Sequence, residues 1–141
     1  MAVATAAVAL LLGIGWIALG SGIRNAHGTD THLTVARVRA VFSRVGLPLR
    51  QVRVSPKLPG EVDLVNVNKS FSLTVTVFAK NAQARQDLRE LGPLWRHNGW
   101  PTRVTQNVLV GIQPAGTKTG HRAPMPPMPA PVLKALDILR N

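Results

Sequence analysis

The residues with the most varied chemistry form a short cluster near the N-terminus. His27, Asp30 and His32 place two imidazoles and a carboxylate in the pattern HxxDxH. These groups can bind zinc or copper, but the spacing matches no established ligand pattern, and a solvated polar linker explains the same residues. The chain has no cysteine, which excludes a disulfide, a thiolate metal site and a cysteine nucleophile. We therefore expect no metal and no cofactor.

Carboxylates are scarce elsewhere in the chain. Glu61 and Asp63 alternate along a predicted strand and share one of its faces, while Asp87 and Glu90 fall on the surface of a predicted helix. Two neighbouring carboxylates could serve as a general acid and base, but ordinary solvation explains them better. The sequence contains no phosphate-binding or dinucleotide-binding glycine pattern. We expect a protein that is not an enzyme and has no small-molecule substrate.

The most site-like segment is residues 95–103 (WRHNGWPTR), in which indoles alternate with cations. Trp95, Arg96, Trp100 and Arg103 could stack on a sugar, a base or a lipid headgroup, so they are candidates for partner binding. The alternative is that the rings fill one end of a small core, since the chain has only three Trp and three Phe residues. The sequence leaves both interpretations open.

Net charge bears on the choice of partner. The chain has 17 Lys and Arg against 6 Asp and Glu, a formal net charge of +11, and all of these residues lie after residue 23. A basic surface favours anionic partners such as a membrane surface, nucleic acid or an acidic polymer. No recognised nucleic-acid motif accompanies the charge, so we do not expect nucleic acid to be the partner.

Residues 2–23 form an uncharged stretch that includes Leu10, Leu11, Leu12 and Trp16. A helix of this length would reach about 33 Å, enough to cross a hydrocarbon core of about 30 Å. The sequence thus predicts a single-pass transmembrane anchor in contact with membrane lipid. A cleaved signal peptide, with residues 18–20 as its cleavage site, and a buried core helix are the alternatives. The missing basic flank and the length of the stretch disfavour cleavage.

The elements that must position these residues follow from periodicity. Apolar spacing predicts a helix over 33–45, capped by Asp30 or Thr31 and ended by Gly46, and a second helix over 81–91, ended by Gly92 and Pro93. Alternation predicts strands at 50–54, 61–67, 71–79 and 103–112, with the third near the centre of the sheet. A strand, a helix and a strand in succession predict a parallel pair. We expect an α+β fold with a small four-stranded sheet and two helices packed on one face.

The C-terminal region changes in composition. Residues 113–131 are rich in proline and glycine and predict a linker, and residues 132–141 predict a short helix with Val132, Leu136 and Leu139 on one side. This helix either docks on its own domain or is presented to a groove in a partner. The predicted organisation is an anchor (1–23), a linker (24–29), the α+β domain (30–112), the proline-rich linker and the short helix.

Three stretches, residues 41–49 (VFSRVGLPL), 75–84 (VTVFAKNAQA) and 107–110 (NVLV), resemble small bacterial membrane-anchored envelope proteins of unknown function. The resemblance covers roughly residues 1–112 and implies a compact extracytoplasmic domain with no catalytic residue. Arg24, Arg37 and Arg39 instead favour a cytoplasmic C-terminal side by the positive-inside rule. We expect an extracytoplasmic accessory or assembly subunit of a larger envelope complex. The alternative is a membrane-tethered basic module that binds anionic lipid or nucleic acid.

Overall fold

The computed structural model describes residues 32–52, 60–116 and 125–141, which contain three helices and five strands. The strands form one antiparallel sheet in the order β1-β2-β3-β5-β4, so β3 is central as predicted. In chain order the elements are α1 Val35–Arg44, β1 Arg50–Gln51, β2 Val62–Val67, β3 Phe71–Val77, α2 Asn81–His97, β4 Thr102–Thr105, β5 Val108–Pro114 and α3 Ala130–Arg140.

Local capping sets the limits of α1. The Thr34 hydroxyl accepts a hydrogen bond from the Arg37 N–H at 3.2 Å, which satisfies one of the free amides of the first turn. The predicted caps, Asp30 and Thr31, lie outside the described residues. At the other end Gly46 has a φ of 81°, and the Leu47 N–H donates to the Phe42 carbonyl at 2.9 Å. This left-handed glycine ends the helix as the sequence predicts.

Strand alternation divides the sheet into two unequal faces. On one, which we call the major face, α1 and α3 cover cross-strand pairs such as Leu73 with Ile112 and Val75 with Val110. On the opposite, minor face, α2 packs on β4 and β5 around Leu109 and Phe78. Among the described residues, eighteen buried apolar residues form the cluster on the major face and three form the cluster on the minor face, so most of this hydrophobic core lies under α1 and α3.

The predicted four-stranded sheet with a parallel pair is wrong. Residues 103–112 do not form one strand, because the chain reverses at Gln106 and Asn107 to make the β4–β5 hairpin. Gln106 adopts a φ of 49°, a left-handed conformation that the sequence does not signal with glycine. The hairpin places β5 antiparallel beside β3 and moves β4 to the edge of the sheet. The fifth strand is therefore a product of this turn.

The prediction that the two helices share one face is also wrong. The helix α2 lies on the minor face because Leu109, between Val108 and Val110, points away from the major core. It also continues past Gly92 and Pro93 to His97. Gly92 has no Cβ to meet the ring of Pro93, which lessens the usual obstacle to a helical residue before proline. The added turns bring Trp95 onto the sheet.

The prediction of a transmembrane helix and of a single-pass membrane location is corrected by the helices of this structure. Within residues 32–52, 60–116 and 125–141, no helix combines the length and apolar character needed to cross a bilayer. The residues predicted to contact lipid, Leu10, Leu11, Leu12 and Trp16, lie outside the described residues, as does the rest of the predicted anchor.

One buried asparagine ties the two faces together. The Asn107 side chain accepts from the Leu33 N–H at 2.9 Å and donates to the Leu33 and Phe78 carbonyls at 3.0 and 2.6 Å. Asn107 is 1% exposed, so these backbone groups have no easy access to water in its place. The side chain thereby fixes the chain entering α1 against the end of β3 and the β4–β5 turn.

Candidate interaction surface between α3 and β4

A groove runs between the edge strand β4 and helix α3, and we call it the α3–β4 groove. It has a volume of about 310 Å³. The strand contributes its last three residues and the helix contributes four: Arg103, Val104, Thr105, Leu133, Leu136, Asp137 and Arg140. Apolar side chains, two cations and one carboxylate therefore border the same depression.

Burial of one side of α3 positions its half of the groove. Val132 and Leu139 are fully buried beside α1, and Leu136 is 8% exposed. The Gln106 side-chain amide donates to the Leu139 carbonyl at 3.3 Å, which links the end of α3 to the β4–β5 turn. Leu133, on the neighbouring side of the helix, remains 42% exposed at the groove. Docking of α3 on its own domain thus creates the groove.

The structure brings together two of the seven residues predicted to bind a partner. Arg103 and Leu136, which lie far apart in the sequence, both line the α3–β4 groove. Val132 and Leu139 belong to the core of the major face and have no exposed surface. The predicted apolar side of the last helix therefore packs mainly inward, and the adjoining side borders the groove.

The remaining predicted residues lie near the C-terminal end of α2. The Trp95 ring covers Gly111 on the minor face so closely that a methyl group at Gly111 would collide with it. Trp100 is half-buried, and its indole N–H is buried without a hydrogen-bond acceptor among the described residues. Arg96 is exposed on α2. Trp95 thus acts as a packing residue for the sheet.

A second depression, of about 360 Å³, lies on the outer side of α1. Its lining consists of three small residues and one arginine from α1 and two residues from the segment that follows the helix: Ala36, Arg39, Ala40, Ser43, Pro48 and Leu49. Ala36, Ala40 and Ser43 are exposed and follow the helical repeat on one side of α1. This depression lacks the second charge and the exposed leucine that mark the α3–β4 groove.

The candidate catalytic and metal-binding residues do not converge in the described part of the chain. Asp63 accepts a hydrogen bond from the Thr76 hydroxyl at 2.6 Å on the minor face, which gives this carboxylate a structural partner. His27 and Asp30 lie outside the described residues, and His32 is exposed before α1. Residues 32–52, 60–116 and 125–141 contain no group of three metal-binding side chains.

Sequence reasoning missed Leu133, Asp137 and Arg140 as surface partners of Arg103. Their spacing of four and then three residues places them on one side of a helix, and this was the available signal. This spacing was overlooked because the prediction considered only the apolar side of the helix, formed by Val132, Leu136 and Leu139. Val104 and Thr105 were missed because the turn at Gln106 was not recognised.

Comparison of the chain with protein families, with curated proteins and with solved structures gives no match. The resemblance to small envelope proteins stays a prediction from the sequence.

Proposed function

We propose that the protein is a non-enzymatic interaction module that serves as an accessory or assembly subunit of a larger complex. The α3–β4 groove carries this proposal, since it joins an exposed leucine, two arginines and an edge strand in one place. The partner would contact Leu133 and Arg103 directly.

The composition of the groove supports a protein partner. Arginine is enriched at protein interfaces, and binding energy concentrates where apolar side chains are desolvated next to a few polar groups. A single exposed leucine is ordinary on a protein surface. Leu133 differs from such a residue because it lies at a concave site, with Arg103 and Arg140 within the same lining.

The proposal can be tested by photo-crosslinking in cells of the native host. A benzophenone amino acid replaces Leu133 in one variant of the full chain and Leu94 in the other, since both leucines are large exposed residues, at 42% and 56%. We expect a discrete crosslinked species of reproducible mass from position 133 only. The additional change Arg140→Glu should reduce its yield severalfold.

Two outcomes would contradict the proposal. Equal crosslinking patterns from the two positions would show nonspecific contact with surrounding proteins. A lack of any crosslinked species from position 133, with the variant folded and expressed, would show that the groove has no protein partner.

A second candidate function is binding of a polyanion, such as nucleic acid or an anionic lipid surface. Arg85, Arg89 and Arg96 are exposed and fall within about 40° of one another around α2, at about 100° per residue. Such a stripe can contact several phosphates together. Reversing all three charges should lower the affinity for DNA and flatten its salt dependence. Reversing Arg37, Arg39 and Arg44 on α1 provides the control.

A further inference from the structure

The pattern of hydrogen bonds between β4 and β5 leaves some backbone N–H and carbonyl groups of β4 pointing toward the free edge of the sheet. The Ile112 N–H donates to the Pro101 carbonyl at 3.0 Å, and the register pairs Thr102 with Gly111. Bonded and non-bonded pairs alternate along an antiparallel ladder, so Arg103 and Thr105 bond to β5. The N–H and carbonyl groups of Thr102 and Val104 therefore point away from β5. In the described part of the chain no strand lies beyond them.

Side-chain alternation relates this edge to the groove. Arg103 and Thr105 are paired with Val110 and Val108, so they lie on the major face with α3. A strand added next to β4 would place the residue opposite Arg103 on the same face. That residue would enter the α3–β4 groove beside Leu133. The edge of β4 thus offers two N–H donors and two carbonyl acceptors to the backbone of the added strand, and the groove receives one side chain of that strand.

Charge distinguishes among the possible occupants. The groove has two cations, Arg103 and Arg140, and one carboxylate, Asp137. A second copy of this chain would bring a formal +11 against +11, and pairing β4 with itself would bring two Arg103 side chains near each other. An acidic segment would gain attraction both from the groove and from the whole chain. The electrostatics thus favour an acidic partner over self-association.

Building on the proposed function, we propose that the partner docks as an extended acidic segment that adds a sixth strand at β4 and inserts an apolar side chain into the α3–β4 groove. Main-chain hydrogen bonds to Thr102 and Val104 provide affinity in this mode of recognition, and the groove provides specificity. The exposed edge of a sheet is otherwise a liability for aggregation, which a bound strand removes.

The test uses the immobilised full chain and a random peptide library displayed on phage. We expect the selected peptides to combine β-branched or aromatic residues at alternate positions with Asp or Glu, and to lack proline in the paired segment. A synthetic fluorescein-labelled copy of the most enriched peptide then gives a dissociation constant by fluorescence polarisation. The same peptide with Lys in place of its acidic residues should bind at least tenfold more weakly.

Matched variants test the edge itself. Thr102→Pro removes one outward N–H without removing a bond to β5, and it should weaken the peptide at least tenfold. The control is Gln51→Pro at the opposite edge. The Val52 N–H donates to the Asp63 carbonyl at 3.0 Å, so the Gln51 N–H also points outward, and its loss should leave the affinity unchanged. If Thr102→Pro does not fold by circular dichroism, a peptide N-methylated at alternate residues tests the same bonds against the native chain.

The outcomes separate this inference from the proposed function. Selection of basic or proline-rich peptides, or no enrichment at all, would overturn strand addition. It would also be overturned if Thr102→Pro bound the peptide as tightly as the native chain does, or if the native chain bound the N-methylated peptide as tightly as the unmodified one. A dimer of the native chain that Thr102→Pro dissociates would overturn it in favour of a second copy. In any of these cases, crosslinking from position 133 could still support a protein partner that binds in another way. Loss of that crosslinking as well would remove the proposed function.

Discussion

The two faces of the sheet use the same five strands but differ in what covers them. On the major face α1 and α3 bury Phe42, Val132 and Leu139 completely against the strands. On the minor face α2 packs on β4 and β5, and Val67 on β2 is 64% exposed. Since burial of apolar area is the main favourable term in folding, the major face supplies most of the stability. The minor face can vary with less effect on the fold.

This difference also bears on the position of the candidate interaction surface. The groove forms where the well-packed major face reaches the edge of the sheet, so its residues belong to elements anchored by the larger core. Leu136 contributes to both the core and the groove. A rigid support limits the entropy lost when a partner binds. Among the described helices, none packs beside the open part of the minor face near Val67.

The largest predicted difference in stability between the faces comes from replacing one buried leucine on each face by alanine. Leu73 on β3 and Leu109 on β5 are 0% and 2% exposed, on the major and minor faces respectively. We expect Leu73→Ala to lower the free energy of unfolding by about 4 kcal/mol and Leu109→Ala by about 2.5 kcal/mol, within the usual range for buried leucine. Urea denaturation followed by circular dichroism measures both. Equal losses would show that the minor cluster is as tightly packed as the major one.

The next effect concerns Asn107, which connects the faces. Asn107→Ala leaves the Leu33 N–H and the Phe78 carbonyl without their buried partner, and we expect a loss of about 3 kcal/mol. Hydrogen exchange should increase at the Leu33 amide. The control is Asn68→Ala, which removes bonds of 2.9 and 3.0 Å to Ser70 and Phe71 in an exposed turn that water can reach. A loss in the control as large as that of Asn107→Ala would argue against burial as the cause.

Local patterns predicted the elements whose limits are set locally. The alternation of β3 and the capping at Gly46 depend on neighbouring residues, and both agree with the structure. The turn at Gln106 could not be predicted, because its left-handed φ of 49° is held by the hairpin and by the bond to Leu139. Without that turn, the sequence predicts four strands with a parallel pair, whereas the structure has five strands that all pair antiparallel. One long-range constraint therefore altered the whole topology.

The candidate site shows the same limit. The sequence predicts partner binding by Arg103 from its residue type and by Leu136 from its position on a helix, but their meeting in one groove depends on α3 docking beside β4. Trp95 was a candidate for stacking on a ligand, yet Gly111 provides a flat surface on which its ring packs. A glycine on a neighbouring strand cannot be assigned to a distant tryptophan from periodicity alone.

The contact between Trp95 and Gly111 gives a third prediction. Gly111→Ala should cost about 2 kcal/mol, because the added methyl group collides with the ring and cores tolerate overpacking poorly. The tryptophan emission should shift to longer wavelength as the ring moves toward water. In the background Trp95→Ala, the same glycine change should cost at least 1 kcal/mol less, since the collision partner is gone. Additive losses in the double variant would place the strain elsewhere on the minor face.

The smallest effect is expected on the open part of the minor face. Val67→Thr replaces a methyl group by a hydroxyl on a side chain that is 64% exposed, so water can solvate the new group and the change should stay within about 0.5 kcal/mol. The same substitution at Val75, which is 0% exposed on the major face, should cost about 2 kcal/mol because the hydroxyl is buried without water. Urea denaturation of the two variants compares the faces with one chemical change. A loss at Val67 that equals the loss at Val75 would mean that the open part of the minor face is covered in solution, and crosslinking from position 67 would then identify what covers it.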